Sequence, residues 1–344
     1  MINEALKCVM NKQNLSYKQA QEAINEIMNG DVSPVKTASF LTALAMKGET
    51  IDEIAGCADA MRSHAMPVNY DKDLLEIVGT GGDGSNTFNI STTAAFVLAS
   101  DGIKVAKHGN RAASSKSGAA DVLEALGVNL DQDPEECIRL LDDIGICFFF
   151  AQHYHKAMKY VGPVRKELGI RTTFNILGPL TNPACPKYDL IGVFNEEMVD
   201  LIAHVLDKLG VKRALVFYGE DGMDEISASG KTKICELDQG QFKTYEIKPE
   251  DFGLIRGNKS DLIGGSPKEN AEITMHILNG KKDGAYQTRR NAILLNAGAA
   301  LYITGREKSI ADGIEKAGRL IDSGKALETL RKFVRESNAL KKVS

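Results

Sequence analysis

The segment from Gly79 to Thr87, GTGGDGSNT, has the residue types of a phosphate-binding loop, and we call it the glycine loop. It follows a short apolar run, Leu75 to Val78, and it precedes a helix predicted from Ser91 to Ser100. Glycines allow positive φ angles and let a ligand approach the backbone amides closely. The helix start adds unpaired N–H groups and the positive end of the helix dipole. Together these features predict an anion site, most naturally for phosphate.

The glycine loop also fits the pattern G-x-G-x-x-G, with Gly79, Gly81 and Gly84. In a dinucleotide-binding fold the next strand usually ends on an acidic residue that binds the ribose. Here the corresponding stretch, 107–111, reads KHGNR, which suits a second phosphate-rich group better than a ribose diol. An NADP-binding variant that uses Arg111 stays open. The Walker pattern fails because serine, not lysine, follows the third glycine.

The second loop of interest covers residues 107–117, and we call it the basic loop. In a parallel sheet it leaves the same carboxyl edge as the glycine loop. Two phosphate-binding loops on one edge predict a ligand with two anionic ends; the alternative is a solvated loop before a capped helix. The polar members of the basic loop are Lys107, His108, Asn110, Arg111, Ser114, Ser115, Lys116 and Ser117.

Asp224 and Glu225, the acidic pair, follow a strand predicted from Ala214 to Tyr218. On a helix or a strand adjacent side chains diverge, but in an irregular loop two carboxylates can converge on a hard cation. Mg²⁺ prefers oxygen ligands and commonly joins protein carboxylates to substrate phosphates. The pair is therefore a candidate magnesium site if it lies near the two loops, and ordinary surface charge if it does not.

Two arginines and two histidines could also take part in chemistry. Arg165 and Arg171 flank a short helix predicted from Pro163 to Leu168, and either could pair with a substrate carboxylate in a bidentate fork or form a structural salt bridge. His153 and His155 have the spacing of two metal ligands, but no third ligand stands nearby. Aromatic packing is the favoured interpretation of the two histidines.

The elements that must position these residues begin with helices in the first 70 residues. Ser16 with Gln19 and Thr50 with Glu53 are capping boxes, and the second opens a helix that runs toward His64. Apolar residues recur there every three or four positions. The other signals are a helix start at Ser33-Pro34 and helix ends at Gly30 and Gly48.

After residue 74 the predicted strands and helices alternate, which favours a mostly parallel sheet covered by helices. The fold class is therefore α/β, with a small helical domain at 1–70 and a larger α/β domain at 71–344, some of whose helices pack back on the first domain. Strands are expected at 75–78, 103–106, 146–150, 190–194, 214–218 and 233–237. Helices are expected at 91–100, 117–126, from 133 onward, and at 268–279, 285–303, 309–322 and 325–337.

Composition excludes several classes of protein. The chain has 344 residues, of which 43% are hydrophobic and 26% charged, so it is neither disordered nor fibrous. A net charge of −4 gives no general attraction to nucleic acid or to an anionic membrane. The most apolar run, 146–151, is too short to cross a bilayer, and no secretory signal is visible. Six scattered cysteines without a C-x-x-C pair indicate a cytoplasmic protein with reduced thiols.

Taken together, the motifs resemble those of one family, the anthranilate phosphoribosyltransferases, with agreement in order and spacing over nearly the whole chain. The resemblance implies a nucleoside phosphorylase/phosphoribosyltransferase-like fold and a homodimer that associates through the helical domain. It implies transfer of the phosphoribosyl group from 5-phosphoribosyl 1-diphosphate to anthranilate, with release of pyrophosphate. The shared segments are Gly79–Asp83, Asn89–Thr92, Lys107–Arg111, Ser117–Gly118, Asp121–Glu124, Pro163–Arg165, Gly178–Pro183 and Asp224–Glu225.

The same resemblance implies roles for individual residues, with positioning and electrostatics in place of an acid or base residue. Anthranilate would be bound by Gly79, Asn110 and Arg165, with His108 and Pro179 close by. Two Mg²⁺ ions would be held by Ser91, Asp224 and Glu225. The sugar diphosphate would be bound by Gly79, Gly82, Asp83, Thr87, Asn89, Ile90, Ser91, Thr92, Lys107, His108, Gly109, Asn110, Arg111, Ala112, Ala113, Ser114, Ser115 and Ala119.

The chain departs from the family pattern at Ala119, where serine is common, and at Ala112 and Ala113, which lack hydroxyls often found there. Ala119 could then contact the ligand only through its backbone. Four alternatives stay open: a pyrimidine nucleoside phosphorylase, a transferase for another acceptor, a non-catalytic nucleotide-binding protein and an NAD(P) oxidoreductase. The phosphorylase is disfavoured because 75–78, directly before the glycine loop, has no basic residue for free phosphate.

Overall fold

A computed structural model describes residues 1–112 and 115–339 of the chain. Its first four helices start and end where local signals place them. The Ser16 hydroxyl accepts a hydrogen bond from Gln19 N while the Gln19 side chain accepts one from Ser16 N, and Thr50 and Glu53 repeat this capping box. Gly30 ends its helix at φ 85°. The four helices are α1 (Ile2–Met10), α2 (Tyr17–Asn29), α3 (Pro34–Lys47) and α4 (Ile51–Ser63).

Within the described residues, one seven-stranded sheet has the strand order β3-β2-β1-β4-β5-β6-β7. The first five strands in this order run parallel, and β6 and β7 are antiparallel to their neighbours, so the expected mostly parallel sheet is confirmed. The strands are β1 (Leu75–Gly79), β2 (Val105–Gly109), β3 (Ile146–Phe150), β4 (Tyr188–Gly192), β5 (Arg213–Gly219), β6 (Thr232–Asp238) and β7 (Gln241–Ile247).

Helices cover both faces of this sheet, and none in the described residues is long and apolar enough to cross a membrane. Short 3₁₀ helices lie at Lys156–Tyr160, Pro249–Phe252 and Lys259–Leu262. The covering helices are α5 (Ile90–Ser100), α6 (Ala119–Ala125), α7 (Pro134–Asp143), α8 (Ala151–Tyr154), α9 (Gly162–Leu168), α10 (Phe174–Leu180), α11 (Met198–Lys208), α12 (Pro267–Leu278), α13 (Ala285–Ile303), α14 (Ile310–Asp322) and α15 (Lys325–Ala339).

The two faces of the sheet belong to two apolar clusters. On one face Phe96 of α5 and Leu295 of α13 pack with sheet residues. On the other face Ile54 of α4 and Ile202 of α11 are buried in a cluster that also takes in the remaining N-terminal helices. The helical bundle and one face of the sheet therefore share a core.

Some elements differ from the sequence-based expectations. Strand β2 begins at Val105, not at residue 103, and α6 begins at Ala119, not at 117. Strand β7 and helices α10 and α11 were not predicted. Strand β7 is a mostly exposed edge strand, joined to β6 by a tight turn in which Gln239 and Gly240 have φ of 50° and 80°. Positive φ at both turn positions is typical of a two-residue hairpin, but glutamine is a weak signal for one.

Candidate active site

The glycine loop, the basic loop and the acidic pair meet at the carboxyl edge of the sheet. They follow β1, β2 and β5, three parallel strands, so all three leave the sheet on the same side. Gly81 N donates a hydrogen bond to Asp224 Oδ2 at 2.6 Å, and Ser91 N donates to Glu225 Oε1 at 3.1 Å. The acidic pair is therefore held directly by the glycine loop and by the first turn of α5.

Close approach explains two glycines at this edge. A Cβ on Gly79 would collide with the Asp224 carboxylate, and one on Gly192, beside it on β4, would collide with the Asp224 backbone. Gly81 and Gly82 have φ of 71° and 74°, a region that side chains rarely adopt. The loop thus needs glycine both for its path and for space against the acidic pair.

Three carboxylates lie close together in this site with little solvent around them. Burial raises the pKa of Asp224 well above its usual range, and the charges of Asp83 and Glu225 raise it further. Burial also raises the pKa of Glu225 to about 7, although Lys107 and Ser91 oppose the shift. Asp83 Oδ2 is buried without a hydrogen-bond partner. A cation would relieve this repulsion and give the orphaned oxygen a partner.

The donor set suits a magnesium ion that is shared with a substrate. Across 1–112 and 115–339 no three His, Cys, Asp or Glu side chains form a ready-made metal cage. Mg²⁺ does not require one, because it commonly binds one or two protein carboxylates and completes its shell with water and phosphate oxygens. Asp224, Glu225 and the Ser91 hydroxyl are thus suited to hold such an ion.

Lys107 points into the protein beneath this cluster. Its side chain is buried, and Nζ donates to Ile77 O at 2.6 Å and to Ser91 Oγ at 3.3 Å. Burial lowers the lysine pKa, while the charges of Glu76 and Glu225 raise it. In this arrangement Lys107 orients Ser91 and offsets the charge of the acidic pair from below.

The basic loop is closed by one carboxylate. Asp121 Oδ2 accepts from Ala112 N at 2.8 Å and from Gly118 N at 2.9 Å, which ties the two ends of the loop together. The exposed Arg111 guanidinium donates hydrogen bonds to two carboxylates of α6, to Glu124 at 2.8 Å and to Asp121 at 3.0 Å. Ala113 and Ser114 lie outside the described residues.

Asn89, directly before α5, bonds to the basic loop. Its Nδ2 donates to Ser117 O at 3.1 Å, and its Oδ1 accepts from Ser117 Oγ at 3.3 Å and from Asn270 Nδ2 at 2.9 Å. Ile90 and Thr92 are buried in the first turn of α5, so only their backbone faces the edge. The first turn of α5 is thereby fixed relative to the basic loop.

The remaining candidates occupy the rims of these loops. Asn110 is exposed, and its Oδ1 accepts from Gln152 Nε2 at 3.1 Å. Ser115 Oγ donates to Ser117 O at 3.4 Å, and Thr87 forms an isolated bridge with Ile263. Gly82 lies within the glycine loop, His108 and Gly109 are the last residues of β2, and Ala119 is the first residue of α6.

The two arginines, which the sequence does not distinguish, have different partners. Arg165 is half-buried on α9 with its guanidinium 5.5 Å from the Phe174 ring, and it forms no ion pair with any described residue. Arg171 donates to Gly82 O at 2.7 Å and lies 4.0 Å over the Phe194 ring. Arg165 is therefore available to a carboxylate, whereas Arg171 supports the glycine loop.

The histidine motif serves packing, as expected. His155 packs on His108 with ring centroids 5.0 Å apart, and Tyr154 packs edge-on against Phe149. Burial lowers the pKa of His108 to about 3 and that of His155 to about 4, so both rings are neutral at physiological pH.

Several buried polar residues that hold the site in place were not predicted from the sequence. Glu76, Asn182 and Asn270 are buried polar residues that bond to the two loops or to the strands beneath them. A polar residue inside an apolar strand, as at Glu76, is the one signal that could have identified such a support.

A helical bundle joined to an α/β domain is the architecture of a class of glycosyltransferases. Two family models match the chain: "Glycosyl transferase family, helical bundle domain" at residues 3–65 and "Glycosyl transferase family, a/b domain" at 71–327. The chain is 56% identical to the anthranilate phosphoribosyltransferase of Methanobrevibacter smithii, over 98% of this chain and 100% of that protein.

Solved structures agree with this assignment. The crystal structure of the Thermus thermophilus anthranilate phosphoribosyltransferase matches with a TM-score of 0.91 and 42% identity, over 97% of this chain and 99% of that one. The Saccharomyces cerevisiae enzyme in complex with PRPP and Mg matches with a TM-score of 0.89 and 31% identity, over 98% of each chain. The chain belongs to the anthranilate phosphoribosyltransferase family.

Proposed function

We propose that the protein carries out its family's reaction at this edge of the sheet. It transfers the phosphoribosyl group of 5-phosphoribosyl 1-diphosphate to anthranilate, giving N-(5-phosphoribosyl)anthranilate and pyrophosphate in the second step of tryptophan biosynthesis. The observation that carries the proposal is the meeting of the two loops and the acidic pair at one edge. Asp224 bonds to Gly81 of the glycine loop, and Glu225 and Lys107 of the basic loop both bond to Ser91.

The sugar diphosphate lies across the two loops in this proposal. The glycine loop and the start of α5 bind the diphosphate through backbone amides other than those of Gly81 and Ser91, which bond to the acidic pair. Ser91, Asp224 and Glu225 would hold Mg²⁺, which we propose to be two ions, and the unpaired Asp83 oxygen would give a further oxygen donor beside them. When bound, magnesium supplies positive charge to the leaving diphosphate.

Anthranilate enters on the side of α9. Arg165 binds its carboxylate through a bidentate fork, and Asn110 and the backbone of Gly79 line the same pocket. The attacking amine of anthranilate already has a free lone pair, so the reaction needs no strong general base. The neutral, buried His108 is consistent with a packing role beside the pocket. Catalysis rests on positioning and on electrostatic stabilisation of the departing diphosphate.

The protein is proposed to act as a homodimer in the cytoplasm. Three large apolar side chains of α1 and α3 are exposed: Met10 by 68%, Val35 by 76% and Met46 by 83%. A second copy of the chain that docks on these helices would remove them from water. All six cysteines are free thiols, which suits a reducing compartment.

Loss of anthranilate fluorescence tests the reaction directly. Protein, anthranilate, 5-phosphoribosyl 1-diphosphate and Mg²⁺ are mixed, and each component is then left out in turn. Emission is expected to fall only in the complete mixture. Steady emission in the complete mixture, with folded protein, would reject the proposed function.

A further inference from the structure

The pairing between β1 and β2 stops after a single register position. Leu75 pairs with Val105, whereas β1 pairs with β4 from Leu75 to Gly79 and β2 pairs with β3 from Val105 to Gly109. The two strands are thus joined at their amino ends only. The glycine loop leaves from the carboxyl end of β1, and the basic loop leaves from that of β2.

Side chains replace the missing backbone bonds. In a continued parallel ladder, Ile77 N would donate to Ala106 O and His108 N would donate to Ile77 O. Instead Ile77 N donates to Glu76 Oε1 at 3.1 Å, and His108 N donates to the two Glu76 oxygens at 3.0 and 3.2 Å. Ala106 O accepts from Asn182 Nδ2 at 2.7 Å, and Ile77 O accepts from Lys107 Nζ at 2.6 Å.

Glu76 and Asn182 also bond to each other. Asn182 Nδ2 donates to Glu76 Oε2 at 2.6 Å, and Asn182 Oδ1 accepts from Ala184 N at 2.9 Å. Both side chains are fully buried. Each donor of this group therefore has an acceptor, as a stable buried polar network requires.

We propose that Glu76 and Asn182 form an inter-strand wedge that keeps the carboxyl ends of β1 and β2 apart, and that they are positioning residues for the sugar diphosphate. The wedge sets the distance between the origins of the two loops that bind the two phosphate-bearing ends of the substrate. The opening also lets the Lys107 side chain reach Ile77 O and Ser91. This inference rests on the proposed function, because it assigns the two loops to one substrate.

Exchanging the two polar groups tests the wedge. Glu76→Gln places an amide against the Asn182 amide, and Asn182→Asp places a carboxylate against the Glu76 carboxylate. Because each exchange alters the hydrogen bond that holds the two loop origins at their spacing, each variant should raise the KM for 5-phosphoribosyl 1-diphosphate, by about tenfold if one good interaction with the substrate is lost. Glu76→Gln keeps the donor to Ala106 O, whereas Asn182→Asp removes it, so Asn182→Asp should raise the KM more than Glu76→Gln.

Asp189→Asn is the matched control. Asp189 is a second buried carboxylate, directly opposite Glu76 on β4, and its Oδ1 has no hydrogen-bond partner. It makes no bond to β2 among the described residues, so its variant should leave this KM unchanged. An equal rise in Asp189→Asn would overturn the wedge, because it would show a general response to altered charge in the sheet.

The remaining outcomes also decide the matter. Thermal melting identifies the folded variants. If an exchange variant fails to fold, Asn182→Ser, which removes the bonds without adding repulsion, should still raise the KM. Folded variants with an unchanged KM would overturn the wedge. Absence of turnover in the unaltered protein would instead reject the proposed function.

Discussion

Arg165 lies on α9 and Arg171 lies in the loop after it, and the sequence alone does not show which of them would bind the anthranilate carboxylate. The structure separates them, since Arg171 bonds to Gly82 O while Arg165 has no ion-pair partner among the described residues. Arg165→Ala should therefore raise the KM for anthranilate by about tenfold or more, the size of a lost charged hydrogen bond. Steady-state kinetics with each substrate varied in turn measure this effect.

Arg171→Ala is the matched control for that prediction. It removes a guanidinium from the loop after α9, and its effect should fall on the KM for the sugar diphosphate through the glycine loop. Equal effects of the two variants on anthranilate would contradict the separate roles.

Glu225 gives the ligand-free protein a predictable dependence on pH. Burial raises its pKa from 4.5 to about 7, so the folded protein holds this proton more tightly than the unfolded chain. Burying the ionised Glu225 carboxylate lowers the free energy of unfolding. This loss is absent below about pH 4.5 and is fully present above about pH 7. Glu225→Gln imitates the protonated form, so its melting temperature should rise relative to the unaltered protein as the pH increases across this range.

The exposed Glu197 supplies the control for this titration. Glu197→Gln makes the same substitution on the surface and shows what the exchange of glutamate for glutamine alone does to the melting temperature. If the difference in melting temperature between Glu225→Gln and the unaltered protein stays constant from about pH 5 to about pH 8, burial of the ionised Glu225 does not destabilise the fold.

At the scale of elements, strand β4 ends on Gly192, which lies against the acidic pair and outside the two loops. A Cβ on Gly192 would collide with the Asp224 backbone, so Gly192→Ala should displace the acidic pair. We expect the activity to require more Mg²⁺, with the half-saturating concentration raised about tenfold or more for a loss of one good ligand interaction. A magnesium titration of the initial rate is the measurement.

Gly162→Ala controls for the substitution itself. Gly162 begins α9, its φ is not in the positive region, and nothing lies within 4 Å of an added Cβ. Its magnesium titration should match that of the unaltered protein. An unshifted titration in Gly192→Ala would mean that the acidic pair tolerates displacement or does not bind the metal.

The sequence predicts a feature well when the residues that determine it lie close together along the chain. The capping boxes at Ser16 and Thr50 place helix starts because both partners lie within one turn. The convergence of the loops could be predicted because parallel strands share a carboxyl edge. The pairing of Arg111 with Glu124 and the bond of Asn182 to Glu76 could not be predicted, since each joins residues whose proximity only the packed chain creates.

At the scale of the whole molecule, the helical bundle is part of the site's support. The bundle shares a core with one face of the sheet, and Arg62 of α4 donates to Leu180 O at the end of α10. The segment that carries Arg165 lies between the two, in contact with α3. A partner that binds the helical bundle is therefore expected to affect the position of the helix that carries Arg165.

The exposed apolar side chains of α3 test whether that partner is a second copy of the chain. Val35 and Met46 are 76% and 83% exposed, and a pair of glutamates in their place would put unpaired charge into a closed interface. Size-exclusion chromatography with light scattering should give a dimer mass for the unaltered protein and a monomer mass for Val35→Glu/Met46→Glu. Ile255→Glu, at a site 76% exposed on the α/β domain, should stay dimeric. A dimer that survives the double variant, or one broken by the control, would place the interface elsewhere.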